Sequence, residues 1–267
     1  MEKRLIEEIA GGCGVFDTGV TPFDGRLVRE GARSASRIPE NCKSVIVFLF
    51  PYFVADEPRN VSLYAVSRDY HIILKKYLAN ICVSLKNEFP HNEFVYFTDS
   101  SPIKEVAAAA LCGLGVIGRN GMLLTEDYGS YVFLGEILTD LPIDCEAHEF
   151  VFCENCGRCA AACPGNALNG SVDAGKCVSD VTQRKGELSE SELELFYRGE
   201  YIWGCDVCQQ VCPHNQSVKT TYFTEFYEHR IPFVTQENYL TDFENRAYSW
   251  RGKAVIERNL GLMKNRE

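Results

Sequence analysis

The chain has 267 residues, of which 46% are hydrophobic and 24% charged, and its formal net charge at pH 7 is −10. This length and apolar content can supply a sizeable buried core. The acidic balance argues against a broad basic surface that binds a phosphate backbone. The longest apolar run, residues 45–55, is broken by Pro51 and is too short to cross a bilayer, and no apolar signal region opens the chain. We therefore expect a soluble cytoplasmic protein with no membrane segment.

The first 140 residues alternate helical and strand-like patterns, which predicts an α/β or α+β domain. Helices are predicted at 5–10 and 69–89, and strands at 44–50 and 93–98. A third helix is predicted at 102–111, with Ser101 as its N-cap, Pro102 at its first position and Gly113 at its end. Residues 129–140 are expected to form a buried strand, and Gly135 within it suggests a close approach by a ligand or by backbone.

Eight of the thirteen cysteines form one pattern. The first run has spacings of two, two and three residues and ends in Cys-Pro, a lone cysteine follows, and the second run has spacings of two and three and also ends in Cys-Pro. This pattern is typical of two 4Fe-4S clusters, in which the last cysteine of each run binds the other cluster. We predict that one cluster is bound by Cys153, Cys156, Cys159 and Cys212, and the other by Cys163, Cys177, Cys205 and Cys208.

Two structural zinc sites are the main alternative, since Cys-x2-Cys pairs also suit tetrahedral zinc. A disulfide framework is a weaker one, because a chain that is not secreted keeps its thiols reduced. The other five cysteines are scattered and are expected to be buried, inert thiols. A short helix capped by Ser189 and Glu192 is predicted within the cluster region, and a helical stretch is predicted at 253–263 in the tail.

Residues 113–118 read Gly-Leu-Gly-Val-Ile-Gly and match the dinucleotide-binding fingerprint, with Glu136 near the position of a ribose-binding acid. A Rossmann loop leaves a strand and opens a helix, whereas this segment follows the alanine-rich helix. We therefore expect these glycines to let backbone approach another flat ligand, and we keep nicotinamide binding as the alternative.

Six segments together resemble the epoxyqueuosine reductase family, which is related to the reductive dehalogenases. They are SLYAVSRDYH at 62–71, TDSSP at 98–102, GLGVIGRN at 113–120, FLGEILTD at 133–140, KCVS at 176–179 and GCDVCQQVCP at 204–213. The resemblance covers most of residues 40–215. It implies cobalamin held beside the cluster of Cys163, Cys177, Cys205 and Cys208, with the other cluster facing a low-potential electron donor of the flavodoxin or ferredoxin type.

The resemblance also implies that Asp99 is the proton donor, a role that requires burial to keep its carboxyl protonated. The alternative is that Asp99 only caps the following helix. Six residues match positions near the family's corrinoid pocket, although a histidine such as His71 is often structural. They are Ser62, Tyr64, Arg68, His71, Asn120 and Leu123. Ser179 and Gln209 lie beside cluster ligands, where they could face the corrin, and Gly113, Gly115 and Gly118 are expected to let backbone approach the cofactor.

By this resemblance, residues 1–148 form an α/β (or α+β) cobalamin-binding catalytic domain, residues 149–216 a ferredoxin-like double 4Fe-4S cluster domain, and residues 217–267 a tail that packs on the core. Arg119 stands where the family has lysine, which preserves charge but changes hydrogen-bond geometry. Longer members continue into a HEAT-like helical repeat region that helps to hold tRNA, and this sequence ends at Glu267 without it.

The resulting hypothesis is a cobalamin-dependent iron–sulfur reductase that acts on epoxyqueuosine in tRNA or on a related substrate. A corrinoid reductase without a tRNA role is one alternative. A two-cluster ferredoxin-type protein that only transfers electrons is another.

Overall fold

The structure, a computed structural model, describes residues 2–264 and contains two compact units. The first unit comprises the residues up to Pro51, His71–Gly118 and Met122–Cys153, and the second comprises Tyr52–Tyr70, Arg119–Gly121 and the residues from Glu154 onward. The division predicted at 148 and 216 stays a prediction. Residue 1 of its first part and residues 265–267 of its tail lie outside the described residues.

An antiparallel sheet forms the centre of the first unit, with strand order β1-β2-β6-β3. The elements in chain order are α1 (Glu2–Gly12), β1 (Thr18–Pro22), β2 (Ser44–Pro51), α2 (Tyr70–Glu88), β3 (Phe94–Thr98), α3 (Glu105–Leu111), β4 (Val116–Ile117), β5 (Leu123–Leu124) and β6 (Val132–Thr139). All eight residues of β2 are buried, as expected for a central strand whose apolar residues do not alternate with polar ones. The mixed helix and strand content confirms the predicted fold class, and the antiparallel pairing selects the α+β alternative.

The predicted start of α3 is wrong, because this helix begins at Glu105 rather than at Pro102. Ile103 pairs with Val28 in a β-bridge, and the Lys104 amide donates to the Leu27 carbonyl at 2.9 Å. These contacts hold residues 103–104 extended, so Lys104 takes the N-cap position. The predicted end at Gly113 is confirmed, since this glycine has a φ of +76° and its amide donates to the Ala110 carbonyl, as in a Schellman motif.

Gly135 makes room for side chains rather than for a ligand or backbone. A Cβ atom at this position would lie 2.8 Å from Cδ1 of Leu78 on α2 and 3.0 Å from Cε2 of Phe50 on β2. The glycine therefore lets α2 pack closely on the sheet.

The second unit contains five α-helices among the described residues: α4 (Arg158–Ala162), α5 (Val178–Thr182), α6 (Glu190–Arg198), α7 (Val207–Gln210) and α8 (Lys253–Lys264). The predicted cap of α6 is confirmed, since the Glu192 carboxylate accepts hydrogen bonds from the amide and the hydroxyl of Ser189 at 2.6 and 2.7 Å. Leu262 and Met263 of α8 pack against the apolar core that α5 and α6 share. Across residues 2–264, none of the helices has both the length and the apolar character that crossing a bilayer requires.

Candidate active site

The two cysteine runs, apart from Cys153, lie in the second unit, where α4 packs against α7. Cys159 is within α4 and Cys163 caps its end, while Cys208 is within α7 and Cys212 follows it. Short helices that hold cysteines at both ends are the arrangement expected of a two-cluster ferredoxin region.

The four cysteines predicted for one cluster lie close to one another. Burial raises the pKa of the Cys208 thiol to about 12, and the thiols of Cys205, Cys177 and Cys163 act in the same direction. A Cβ atom at Gly165 would lie 1.8 Å from the Lys176 carbonyl oxygen, so only glycine lets the chain after Cys163 pass this close to the residue before Cys177. The other three thiols therefore lie close enough to Cys208 to disfavour its ionisation.

Amide groups also reach these sulfurs. The Ala167 amide donates to Sγ of Cys163 at 3.3 Å, and the Asn120 side-chain amide interacts with the Cys208 thiol. Hydrogen bonds to cluster sulfurs raise a cluster's reduction potential.

The cysteines predicted for the other cluster are more exposed. Cys156 is exposed, whereas Cys153, Cys159 and Cys212 are partly buried, and Cys153 belongs to the first unit. Arg119 donates from Nη1 to Oδ1 of Asn155 at 2.9 Å, within the Cys153–Cys156 loop. Within residues 2–264, no three His, Cys, Asp or Glu side chains converge on the position of a single metal ion. A cubane holds its four thiolates farther apart than the ligands of one ion.

A buried ion pair braces the second cysteine run. Asp206, between Cys205 and Val207, is fully buried and accepts from Nε of Arg59 at 3.0 Å, from the Leu63 amide at 2.7 Å and from the Ser62 hydroxyl. The Arg59 side chain is only 3% exposed. The pair therefore fixes residues 59–63 against the loop of Cys205 and Cys208.

Gly204 brings two predicted cofactor residues against this loop. It has a φ of +73°, and a Cβ atom there would lie 2.4 Å from Cβ of Ser62 and 3.3 Å from Cε1 of Tyr64. The Tyr64 hydroxyl in turn accepts from Nε1 of Trp203 at 2.8 Å. The second unit thus joins Ser62 and Tyr64 to the segment that carries Cys205.

Other predicted cofactor residues of the second unit have partners within that unit. Arg68 pairs with Asp242, with 3.6 Å between Nε and Oδ2. Gln209 is buried and lies 3.4 Å from the Tyr52 hydroxyl, and Asn120 is also buried. The Ser179 hydroxyl accepts from Nε2 of Gln183 at 3.3 Å.

Asp99 lies in the first unit at the end of β3, with a φ of +58°. This left-handed backbone is rare outside glycine, but aspartate tolerates it. Its Oδ2 lies 3.3 Å from Nε2 of His71 in the first turn of α2, and the two side chains are 57% and 38% exposed. His71 and Asp99, which the sequence placed 28 residues apart, therefore form a pair.

Two further carboxyl groups, from Glu105 and Glu136, influence the site around Asp99. Burial raises the pKa of Glu105 to about 8, and the negative charge of Asp99 is the second cause. Burial also raises the pKa of Glu136 well above its usual value, and the charge of Glu105 adds to this effect. Sequence reasoning noted Glu136 only as a ribose-binding candidate. The available signal was an acid at a buried position of an otherwise apolar strand.

The glycines of residues 113–118 accommodate protein groups. A Cβ atom at Gly113 would lie 2.8 Å from Nε2 of His148, and one at Gly115 would lie 2.5 Å from the Leu124 carbonyl oxygen. The Gly118 amide donates to the Met122 carbonyl at 2.8 Å, and Leu123 is buried in the core beneath α3. This segment follows a helix and enters β4, unlike a Rossmann loop. The assignment of these four residues to a cofactor stays a prediction.

Comparison with known proteins identifies the class first. Residues 152–215 match the family model described as a 4Fe-4S double cluster binding domain, which makes the chain an iron–sulfur protein of the two-cluster class. Residues 33–100 match a second model, described as epoxyqueuosine reductase QueG, DUF1730. The epoxyqueuosine reductase of Cyclobacterium marinum is 32% identical over 264 residues, covering 91% of this chain and 81% of the relative. The chain therefore belongs to the epoxyqueuosine reductase family, and the predicted resemblance is confirmed.

Other relatives are longer than this chain. The epoxyqueuosine reductase of Lactococcus garvieae is 34% identical over 203 residues, and that of Synechocystis is 38% identical over 159 residues. The matched segments span 57% and 55% of those two proteins, little more than half their lengths.

Two solved structures extend the comparison. An epoxyqueuosine reductase crystallised with an epoxyqueuosine-modified tRNA-Tyr stem loop is 26% identical, with a TM-score of 0.82 over 98% of this chain and 80% of that one. A reductive dehalogenase whose structure suggests a mechanism for B12-dependent dehalogenation is 17% identical, with a TM-score of 0.55 over 96% of this chain and 36% of that one. The second likeness is one of fold alone.

Proposed function

We propose that this chain is a cobalamin-dependent reductase that converts epoxyqueuosine in tRNA to queuosine. Membership of the epoxyqueuosine reductase family is the observation that carries the proposal. The two-cluster domain at 152–215 supports it, since such a reaction needs electrons delivered one at a time.

The proposed ligands are Cys153, Cys156, Cys159 and Cys212 for one cluster, and Cys163, Cys177, Cys205 and Cys208 for the other. The mutual effects of the last four thiols on the titration of Cys208 support the second set. The exposure of Cys156 supports a role for the first cluster as the one that meets an electron donor, of the flavodoxin or ferredoxin type.

The cofactor is proposed to lie next to the second cluster, beside Cys205. The Arg59–Asp206 pair and the close contact of Gly204 with Ser62 and Tyr64 fix these two residues beside Cys205, which supports their proposed role. We propose that these residues, with Arg68, Asn120, Ser179 and Gln209, bind cobalamin from the second unit. We propose His71 as a further cofactor residue. When bound, cobalamin would supply the low-potential cobalt centre that transfers electrons to the substrate.

Asp99 is the proposed proton donor. Conversion of an epoxide to an alkene breaks two carbon–oxygen bonds, consumes two electrons and two protons, and releases the oxygen as water. Asp99 lies at a strand end beside His71, where a substrate oxygen can reach its carboxyl. Its side chain is 57% exposed, so bound cofactor and substrate would have to supply the burial that keeps the carboxyl protonated.

The proposed substrate is epoxyqueuosine in tRNA, because a related structure holds a modified tRNA stem loop. We further propose that the protein works in the cytoplasm, where tRNA is available. A corrinoid reductase or a plain electron carrier without a tRNA role would share the clusters but would form no queuosine.

The test uses anaerobically purified protein with reconstituted clusters. The proposal predicts stoichiometric cobalamin binding and a base-off cobalt EPR signal after reduction. A protein that shows cluster absorption but binds no cobalamin would be an electron carrier. A protein that binds cobalamin but forms no queuosine from epoxyqueuosine-containing tRNA would be a corrinoid reductase with another substrate.

A further inference from the structure

We propose that the carboxyl pair of Glu105 and Glu136 holds a proton at neutral pH and passes it to Asp99 after Asp99 has protonated the leaving oxygen. The proposal rests on the function proposed above. It assigns a second proton source to residues that lie outside the sequence motif around Asp99.

Glu136 sits at the centre of the sheet. In the register of β6, it lies opposite Val47 on β2 and Phe97 on β3, and its side chain is fully buried. Val47 and Phe97 belong to the apolar face that the alanines of α3 cover. Glu136 therefore points from the strand toward α3, whose first residue is Glu105. Asp99 follows Phe97 by two residues, at the end of the same strand.

The buried oxygen atoms of the pair lack donors. Among residues 2–264, Oε1 and Oε2 of Glu136 and Oε1 of Glu105 have no hydrogen-bond partner at normal geometry. A buried carboxylate without a donor or a counter-charge is strongly unfavourable. Two adjacent carboxyl groups remove this cost when one holds a proton that the other accepts.

The charges around the pair support this protonation. The charge of Asp99 disfavours ionisation of both glutamates, and the Glu105 carboxyl disfavours it for Glu136. Arg29, the Glu136 carboxyl and His71 favour ionisation of Glu105, and the Ser101 hydroxyl favours it for Glu136. Burial is the largest cause for both glutamates, so the raised pKa values keep the pair protonated near neutral pH.

The stoichiometry of the reaction requires a second proton, which we assign to the Glu105–Glu136 pair. Water formation from the epoxide oxygen takes up two protons, whereas Asp99 carries only one at a time. A substrate bound over Asp99 would restrict the access of water to the Asp99 carboxylate. A proton would then reach this carboxylate from the side that faces Glu105. In the proposed step an O–H bond of the pair breaks, an O–H bond on the Asp99 carboxylate forms, and the pair later regains its proton from water.

The first test is infrared difference spectroscopy of the holoprotein between pH 6 and pH 9. We expect a protonated-carboxyl C=O band at pH 6–7 that disappears toward pH 9. Glu105→Gln and Glu136→Gln should each remove or shift this band, whereas Glu88→Gln, at an exposed site on α2, should leave it unchanged. If the wild-type spectrum has no such band, or if neither variant alters it, the proposal is overturned.

The second test is turnover. Glu136→Gln and Glu105→Gln should lower kcat roughly 10²-fold with KM, cluster content and cobalamin binding unchanged, and kcat should show an increased solvent deuterium effect. If Glu136→Gln does not fold, the measurement on Glu105→Gln alone tests the relay. Unchanged kcat in both folded variants would overturn the relay. If wild-type protein forms no queuosine while the band is present, the proposed function fails and the relay fails with it, but the shared proton stands.

Discussion

The carboxyl of Glu105 makes the stability of the protein depend on pH, and replacing it by glutamine should weaken this dependence. Its pKa is raised from 4.5 to about 8 in the folded protein, with burial as the first cause. Below pH 4.5 both the folded and the unfolded chain hold the proton. As pH rises toward 8, only the folded chain keeps it, so stability falls with pH until the folded carboxyl has also ionised.

The size of the pH dependence follows from the one proton that the folded chain binds and the unfolded chain does not. A difference of one bound proton changes the free energy of unfolding by about 1.4 kcal/mol per pH unit. From pH 5 to pH 8 this amounts to at most about 4 kcal/mol, and we take roughly half because Glu105 is only partly buried. For a chain of this size, about 2 kcal/mol corresponds to a fall in Tm of roughly 4–8 °C.

The assay is thermal unfolding of the holoprotein at pH 5, 6, 7 and 8 under anaerobic conditions. Wild type and Glu88→Gln should share one slope of Tm against pH, and Glu105→Gln should show a shallower one. A slope for Glu105→Gln equal to that of wild type would refute the raised pKa and the burial that causes it.

Three further predictions concern the site. Asp99→Asn should abolish queuosine formation while cobalamin binding stays normal, and retained turnover would remove its acid role. Asp206→Asn should lower the free energy of unfolding by about 3–5 kcal/mol, because it leaves a buried guanidinium with only the exposed carboxylate of Asp56 as counter-charge. Asp56→Asn removes the other ion-pair partner of Arg59, which is 78% exposed, and should lower the free energy of unfolding by less than about 1 kcal/mol in denaturant titrations. Equal losses of stability in the Asp206 and Asp56 variants would contradict this prediction. Gly165→Ala should halve the iron content to about four atoms per chain, because the added Cβ atom would collide with the backbone at Lys176. The control Gly25→Ala has no atom within 4 Å of the added Cβ and should retain about eight iron atoms. Full iron content in Gly165→Ala would count against the assigned ligands.

The features that local sequence determines were predictable. The cysteine spacings indicated a two-cluster region, which the family match at 152–215 confirms. The capping box of α6 depends on Ser189 and Glu192 three residues apart, and the end of α3 depends on one glycine that adopts a left-handed backbone. Each of these signals lies within a few residues of the structure that it specifies.

The features that distant contacts determine were not. The start of α3 moved to Glu105 because a segment some 75 residues earlier holds Ile103 extended. The role of Glu136 depends on register with two strands and on a helix packed above it. Likewise, Asp206 lies between two cysteines in the sequence, and only folding brings Arg59 to it.

The most direct test of the central claim is a single-turnover assay with epoxyqueuosine-containing tRNA. Anaerobic protein carrying both clusters and cobalamin, reduced chemically so that no donor protein is needed, should form one queuosine per loaded chain. The same protein without cobalamin should form none. Fully loaded, reduced protein that forms no queuosine, or cobalamin-free protein that forms as much, would contradict the account.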